Sequence, residues 1–268
     1  GGDIDATATA QWNGGAGFTP ILTSGSRARP AVPFSGTFDG LGHAVNNLTI
    51  NRSSIVMGLF GESTGHIRHV GLSGGSVTGS DTTGALVGLQ SGSSIRQVYS
   101  TANVSGSAIV GGLVGQLQDS GSVRHARSSG AVSGTTENIG GLIGVVESNS
   151  TVSNSHANGN VHAPNARIVG GLVGFVFSSS LTDVSATGQV TGLNFTGGLI
   201  GNLDNSTLSR AFASGAVNGP AVSADNTANY GGLLGIAINS TSSDVFATGA
   251  VNAGALRNVG GLIGAMSA

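Results

Sequence analysis

The apolar positions of this chain recur in blocks and do not follow a helical stripe. The string Gly-Gly-apolar-apolar-Gly stands at 111–115 as GGLVG and returns five times with Ile, Val or Leu in the fourth place, with GALVG as a variant at 84–88. Aligned on the central leucine, the copies fall at Leu59, Leu86, Leu113, Leu142, Leu172, Leu199, Leu233 and Leu262, with spacings of 27, 27, 29, 30, 27, 34 and 29 residues. A period of about 20 to 50 residues marks a solenoid, a propeller or a stacked array.

The remainder of each unit repeats too. Compare SSIRQVYSTANVSG (93–106), GSVRHARSSGAVSG (121–134), SSLTDVSATGQVTG (179–192) and STLSRAFASGAVNG (206–219). Counting from an apolar residue (Ile95, Val123, Val152, Leu181, Leu208), small or apolar residues occupy the third, fifth and ninth places. Polar residues stand between them. This reads as a period of two, the mark of a strand with one buried face. Gly130, Gly159, Gly188, Gly215 and Gly249 share the seventh place and punctuate a bend. Helical repeats need 10 or more residues at 3.6 spacing, and a propeller blade needs about 40 residues. The pattern predicts an all-β fold: a single-stranded right-handed parallel β-helix (β-solenoid) of about eight coils. At about 4.8 Å per coil these make a rod of roughly 40 Å. Equivalent positions then stack into ladders one residue wide, and the glycine motif recurs because the geometry recurs.

Residues 1–57 differ. They hold the single Trp and several Phe, with strand-like alternation only in HAVNNLTI (43–50). They are expected to form irregular amino-terminal coils, and 58–268 the repeat helix proper. The last unit stops directly after its glycine motif, so the rod is expected to be truncated at its carboxyl end.

Composition narrows the classes. Glycine supplies 48 of 268 residues, and charged residues only 8%, against about 25% in ordinary proteins. All ten basic residues are Arg, cysteine is absent and the net charge is −2. These figures exclude a disulfide scaffold and thiolate metal sites. They show no nucleic-acid or anionic-membrane footprint. No apolar run reaches the roughly 18 residues of a spanning helix. The start, GGDIDATATA, is acidic where a signal peptide would be basic. The lack of cysteine suits export through an oxidising compartment.

The Gly-Leu-apolar-Gly repeat resembles the GLUG motif of large bacterial surface proteins. WNGGAGFTPI (12–21) and FSGTFDGLGHAVNNLTINR (34–52) resemble the segment that precedes such repeats in filamentous-haemagglutinin-like exoproteins. The resemblance covers most of the chain. It implies a right-handed β-helix stalk, secreted to the bacterial cell surface by a two-partner route through an outer-membrane transporter. It also implies adhesion or cell contact, with a host or neighbouring-cell surface glycan or protein as partner. The motif occurs in some surface peptidases as well, so it specifies architecture more tightly than function.

Candidate chemistry is sparse. The twelve acids are scattered, and no catalytic residue, cofactor or metal ligand is assigned. His66 and His69 would suit a metal on a helix but not on an alternating strand; Asp3 and Asp5 lie on one strand face that calcium could use, with a solvated terminus as the favoured reading. Asp183 and Asp244 share a column two coils apart and read as solvated surface. Three groups of outward positions remain. Tyr99, Arg127, His156, Phe212 and Phe246 form a candidate surface-contact column, unless the insertion at 220–230 covers the two Phe. Arg68, Arg96 and Arg124 form a candidate anion-contact column, with an exposed flank as the simpler reading. Asn47, Asn51, Asn103, Asn149, Asn194, Asn205 and Asn239 open Asn-x-Ser/Thr triplets and are candidate glycosylation sites. The favoured function is a non-catalytic adhesive stalk. The alternatives are a carbohydrate-active enzyme on the same scaffold and a filament subunit that self-associates end to end.

Overall fold

The structure, a computed structural model, describes residues 1–21, 32–220, 228–254 and 258–267. Among the described residues, strands form four parallel sheets, three of eight strands and one of ten. One coil shows the plan. Ser94–Ser100 lies on face one, Asn103–Ser105 on face two, Ile109–Gly111 on face three and Val114–Gln118 on face four. Each strand pairs in parallel with the equivalent strands of the coils before and after, so the fold is a parallel β-solenoid of eight rungs.

The ladders keep strict register. Val104 pairs with Val77 and Val132, and Ser100 with Leu72 and Ser128. At the corner between faces three and four, the Leu86 N–H donates to the Leu113 carbonyl at 2.9 Å, and the Leu113 N–H donates to the Leu142 carbonyl at 2.9 Å. Leu113 and Val114 are both fully buried. A fully buried Leu or Val contributes about 1.5–3 kcal/mol relative to exposure, and one such pair is added with almost every coil.

The paired glycines serve close approach. A Cβ on Gly111 would strike the Val114 carbonyl on face four, and one on Gly115 would crowd the backbone of Thr83 on face three. Faces three and four therefore press together through glycine, backbone to backbone. The seventh-place ladder works likewise. A Cβ on Gly159 would collide with the Gly130 carbonyl, and one on Gly188 with the Gly159 carbonyl. These glycines mark a corner, as the sequence suggests, and each corner also stacks directly on the next.

The irregular spacing has a simple origin. Between faces two and three the chain uses three residues after Ser105 (106–108), four after Ser133 (134–137), five after His162 (163–167) and ten after Asn218 (219–228). Between faces four and one it uses two residues (92–93), three (119–121) or four (147–150). All variation between 27 and 34 residues is absorbed at these two corners. The 220–230 insertion belongs to the first of them, and its residues 221–227 lie outside the described residues.

At the corner between faces four and one a buried serine ladder replaces apolar packing. The Ser150 N–H donates to Ser179 Oγ at 3.1 Å, the Ser179 N–H to Ser206 Oγ at 3.1 Å, and the Ser206 N–H to Ser240 Oγ at 3.0 Å. Backbone donors at a buried turn need such partners.

Residues 1–21 and 32–57 join the same rod. Thr37–Asp39 and Ala44–Asn46 both pair with His66–Ser73 on face one, so two short strands share a rung around the turn at 40–43. Helix is not expected from the sequence, yet Thr7–Gly15 forms a kinked run of 3-10 turns. Asp5 Oδ1 starts it by accepting the Thr7 N–H at 2.9 Å and the Thr7 hydroxyl at 2.5 Å. The Phe60 ring packs against Phe34 and Phe38, with centroids 5.1 and 5.3 Å apart. Aromatics thus fill the amino-terminal rung where the repeats use Leu and Val.

Candidate functional surface

Face one departs from simple alternation at every rung. His69, Gln97, His125, Asn154, Asp183, Arg210 and Asp244 occupy one column, all with φ between 48 and 55°. A left-handed residue at the same place in every rung acts as a bulge shared by the whole ladder. It turns two successive side chains outward, Arg96 then Gln97, before Val98 returns to the core. The period-two reading of this segment is corrected accordingly: the third-place column is buried because the bulge supplies the odd residue. The outward surface consequently has three parallel columns.

The first column holds Asp39, Arg68, Arg96 and Arg124, paired rung to rung, and continues with Ser153, Thr182 and Ser209. Asp39 changes the anion-contact reading. Its Oδ2 lies 2.7 Å from Arg68 Nε, and its Oδ1 lies 2.9 Å from His69 Nδ1. The Leu41 N–H, the His69 ring and the Arg68 guanidinium together hold the Asp39 carboxyl at about 2. Arg68 is neutralised within the fold and leaves the candidate anion column. Arg96 and Arg124 have no carboxylate partner among the described residues.

The second column is the bulge column. Arg210 fills the rung between Asp183 and Asp244 and grips Asp183 in a two-pronged contact, Nε to Oδ1 at 2.7 Å and Nη2 to Oδ2 at 2.8 Å. This hydrogen bond and charge keep Asp183 below the usual carboxylate range. The sequence places the two acids in one column, but the arginine between them is recognised only once the bulge is seen. An exposed pair of this kind contributes little stability.

The third column runs Gly71, Tyr99, Arg127, His156, Ser185, Phe212 and Phe246. Tyr99, Arg127 and His156 stack in consecutive rungs, and Ser185 separates them from the adjacent pair Phe212 and Phe246. Tyr99 lies across Gly71, where a Cβ would collide with its ring. Burial and the neighbouring Arg127 lower the His156 pKa, and its Nδ1 sits 2.8 Å from Ser185 Oγ. Phe212 and Phe246 stack with centroids 5.1 Å apart and planes 5° from parallel, and Phe246 is 54% exposed.

Other candidates separate clearly. His66 Nδ1 meets Ser94 Oγ at 2.9 Å, and His69 Nε2 meets Gln97 Oε1 at 2.8 Å. Asp3 accepts the Ala44 N–H at 2.9 Å. Among the described residues no group of three His, Cys, Asp or Glu could hold a metal ion, and no helix is long and apolar enough to cross a membrane. Six of the seven candidate glycosylation asparagines are exposed: Asn47, Asn51, Asn103, Asn149, Asn205 and Asn239. Asn194 is the exception. It lies at the corner between faces two and three and is only 6% exposed.

Residues 165–191 match the family model of the GLUG motif. One GLUG motif is one full turn of this solenoid. The matched stretch runs from the corner before Ile168–Gly170, around faces four and one, to Val190–Thr191. The chain is 38% identical over 122 residues to halomucin of Haloquadratum walsbyi, a match covering 44% of this chain and 1% of halomucin. Its fold is shared by a proposed immunoglobulin A1 protease from Bacteroides ovatus (TM-score 0.67, 21% identity, 94% of this chain and 76% of that one). A second solved structure, an IgA1 protease, gives a TM-score of 0.51 at 18% identity over 78% of this chain and 20% of that one. At such identities the two structures establish the β-solenoid architecture alone.

Proposed function

We propose that this chain is a stiff structural segment of an extracellular surface protein, carrying no catalysis of its own and presenting face one to outside partners. The observation that carries the reading is the contrast between the two sides of each rung. The interior repeats coil after coil, while the outward columns change from arginine to serine to phenylalanine. A scaffold that holds its interior constant and varies its exterior suits display. The GLUG turn and the likeness to halomucin support placement at a cell surface.

Adhesion is the finer part of the proposal, with a glycan or protein of a host or neighbouring cell as partner. Export through an outer-membrane transporter, of the kind used by filamentous-haemagglutinin-like proteins, belongs to the same reading. Antibody against the purified chain should label intact source cells, and electron microscopy should show rods. Absence of label, or hydrolysis of peptide or polysaccharide panels by the purified chain, would overturn it.

A further inference from the structure

The described arginines divide sharply by partner. Arg68 pairs with Asp39 at 2.7 Å, Arg167 with Glu137 at 3.6 Å and Arg210 with Asp183 at 2.7 Å. Arg52 donates to the carbonyls of Phe18 and Gly17. The other three are Arg96, Arg124 and Arg127, and none has a carboxylate or carbonyl partner among the described residues. All three stand on two adjacent rungs of face one, with Arg96 paired to Arg124, and Tyr99 to Arg127, across the sheet.

The bulge gives Arg127 a shaped setting, and Arg96 and Arg124 stand on the outer flank of that setting. Gln97, His125 and Asn154 project as a ridge, Tyr99, Arg127 and His156 as a second ridge, and Val98 forms the floor of the trough between them. The trough has a volume of about 390 Å³. It runs along the rod axis over three rungs. Its chemistry is one-sided, with one guanidinium (Arg127), two imidazoles, two amides and a phenol ring, and no carboxylate among its lining residues.

Three features select the ligand. Successive rungs lie about 4.8 Å apart, close to the advance of one pyranose unit along a glycan, so a polysaccharide on the axis meets equivalent side chains once per sugar. Guanidinium groups bind carboxylate and sulfate in two-pronged geometry. Tyr99 offers a flat apolar ring with a polar tip, suited to the C–H face of a sugar. Burial and Arg127 favour a neutral His156 ring, which suits a hydroxyl partner. A nucleic-acid duplex presents two strands of phosphates around a wide cylinder, which a single narrow trough does not match.

We propose that the trough between the Gln97–His125–Asn154 ridge and the Tyr99–Arg127–His156 ridge binds an acidic polysaccharide laid along the rod axis, one sugar per coil, with Arg127 inside the trough and Arg96 and Arg124 on the outer flank of the first ridge holding its carboxylates or sulfates. The inference deepens the surface-display reading and rests on it, but it is tested on the purified chain, independently of where the protein resides.

The test is affinity electrophoresis of the full chain in gels containing polygalacturonate, dextran sulfate, neutral dextran or duplex DNA. The two acidic polysaccharides should retard the chain and neutral dextran should not. The triple variant Arg96→Gln, Arg124→Gln, Arg127→Gln should lose about tenfold or more in affinity, with an unchanged circular dichroism spectrum. Arg167→Gln, on another corner, should bind as the unaltered chain does. Tyr99→Ala should weaken polygalacturonate more than dextran sulfate. No retardation of the unaltered chain, full retention by the triple variant, or duplex DNA bound as tightly as polygalacturonate would each overturn the proposal. None of these results bears on surface labelling of cells, so the two readings fail separately.

Discussion

The two halves of face one share a backbone and differ in how they handle charge. In the amino-terminal half, Arg127 lines an open trough and Arg96 and Arg124 stand on its outer flank, all three without a carboxylate partner among the described residues. In the carboxyl-terminal half, Arg210 is clasped by Asp183, and the outer column ends in the stacked pair Phe212 and Phe246. The bulge and the buried third-place column are the same in both, and so are the corner glycines apart from Ala102. Stacking therefore dictates the inside, and the outward columns are free to be cationic in one place, and paired or apolar in another.

The comparison can be strained first where both halves should respond alike. Leu142→Ala and Leu172→Ala empty equivalent sites in neighbouring coils, and each should cost about 2–5 kcal/mol in urea denaturation. Arg124→Ala, on the outside, should stay within about 0.5 kcal/mol. Gly171→Ala places a methyl against the Gly198 carbonyl and should cost about 1–3 kcal/mol by overpacking.

Smaller effects should tell the halves apart. Asp183→Asn releases Arg210 and should raise retention by dextran sulfate, making the carboxyl-terminal half resemble the amino-terminal one. Unchanged retention would show that a free guanidinium without the trough is insufficient. Phe246→Ser removes one ring of the stack and should cost about 0.5–1.5 kcal/mol with no effect on polyanion retention. Asp39→Asn should give the smallest change and one that depends on pH. The folded-state value of Asp39, about 2, lies below that of an ordinary carboxyl. Its contribution is therefore complete above the ordinary carboxylate range and is lost as pH falls through about 2. The difference in Tm between Asp39→Asn and the unaltered chain should be full at pH 7 and close on acidification.

How much of this was legible beforehand depended on the kind of information each position carries. The ladders were readable because identical residues at a fixed period leave no other packing: Leu113 and Val104 announce their columns by repetition. The bulge was not, because its column holds His, Gln, Asn, Asp and Arg, which share a backbone angle and no side-chain type. Arg210 was missed as the partner of Asp183 for that reason. Asp39 was missed because the strand carrying it lies outside the repeat and reaches Arg68 only through pairing across sequence. The burial of Asn194 was hidden as well, since a triplet reports chemistry and says nothing of which corner it occupies. Tyr99, Arg127 and His156 were found as a column, but the trough they border needed the ridge beside them.

The match of 165–191 to a single turn has a genetic corollary. The turn begins and ends at the corner between faces two and three, where Ala163 and Gly192 sit one rung apart and where Ala163 N–H donates to the Thr191 carbonyl at 2.9 Å. Excising that stretch, or duplicating it, would rejoin the chain at a seam already tolerant of three to ten residues and leave every other ladder in phase. Unequal recombination could lengthen or shorten such a rod one whole turn at a time without asking the remainder to refold.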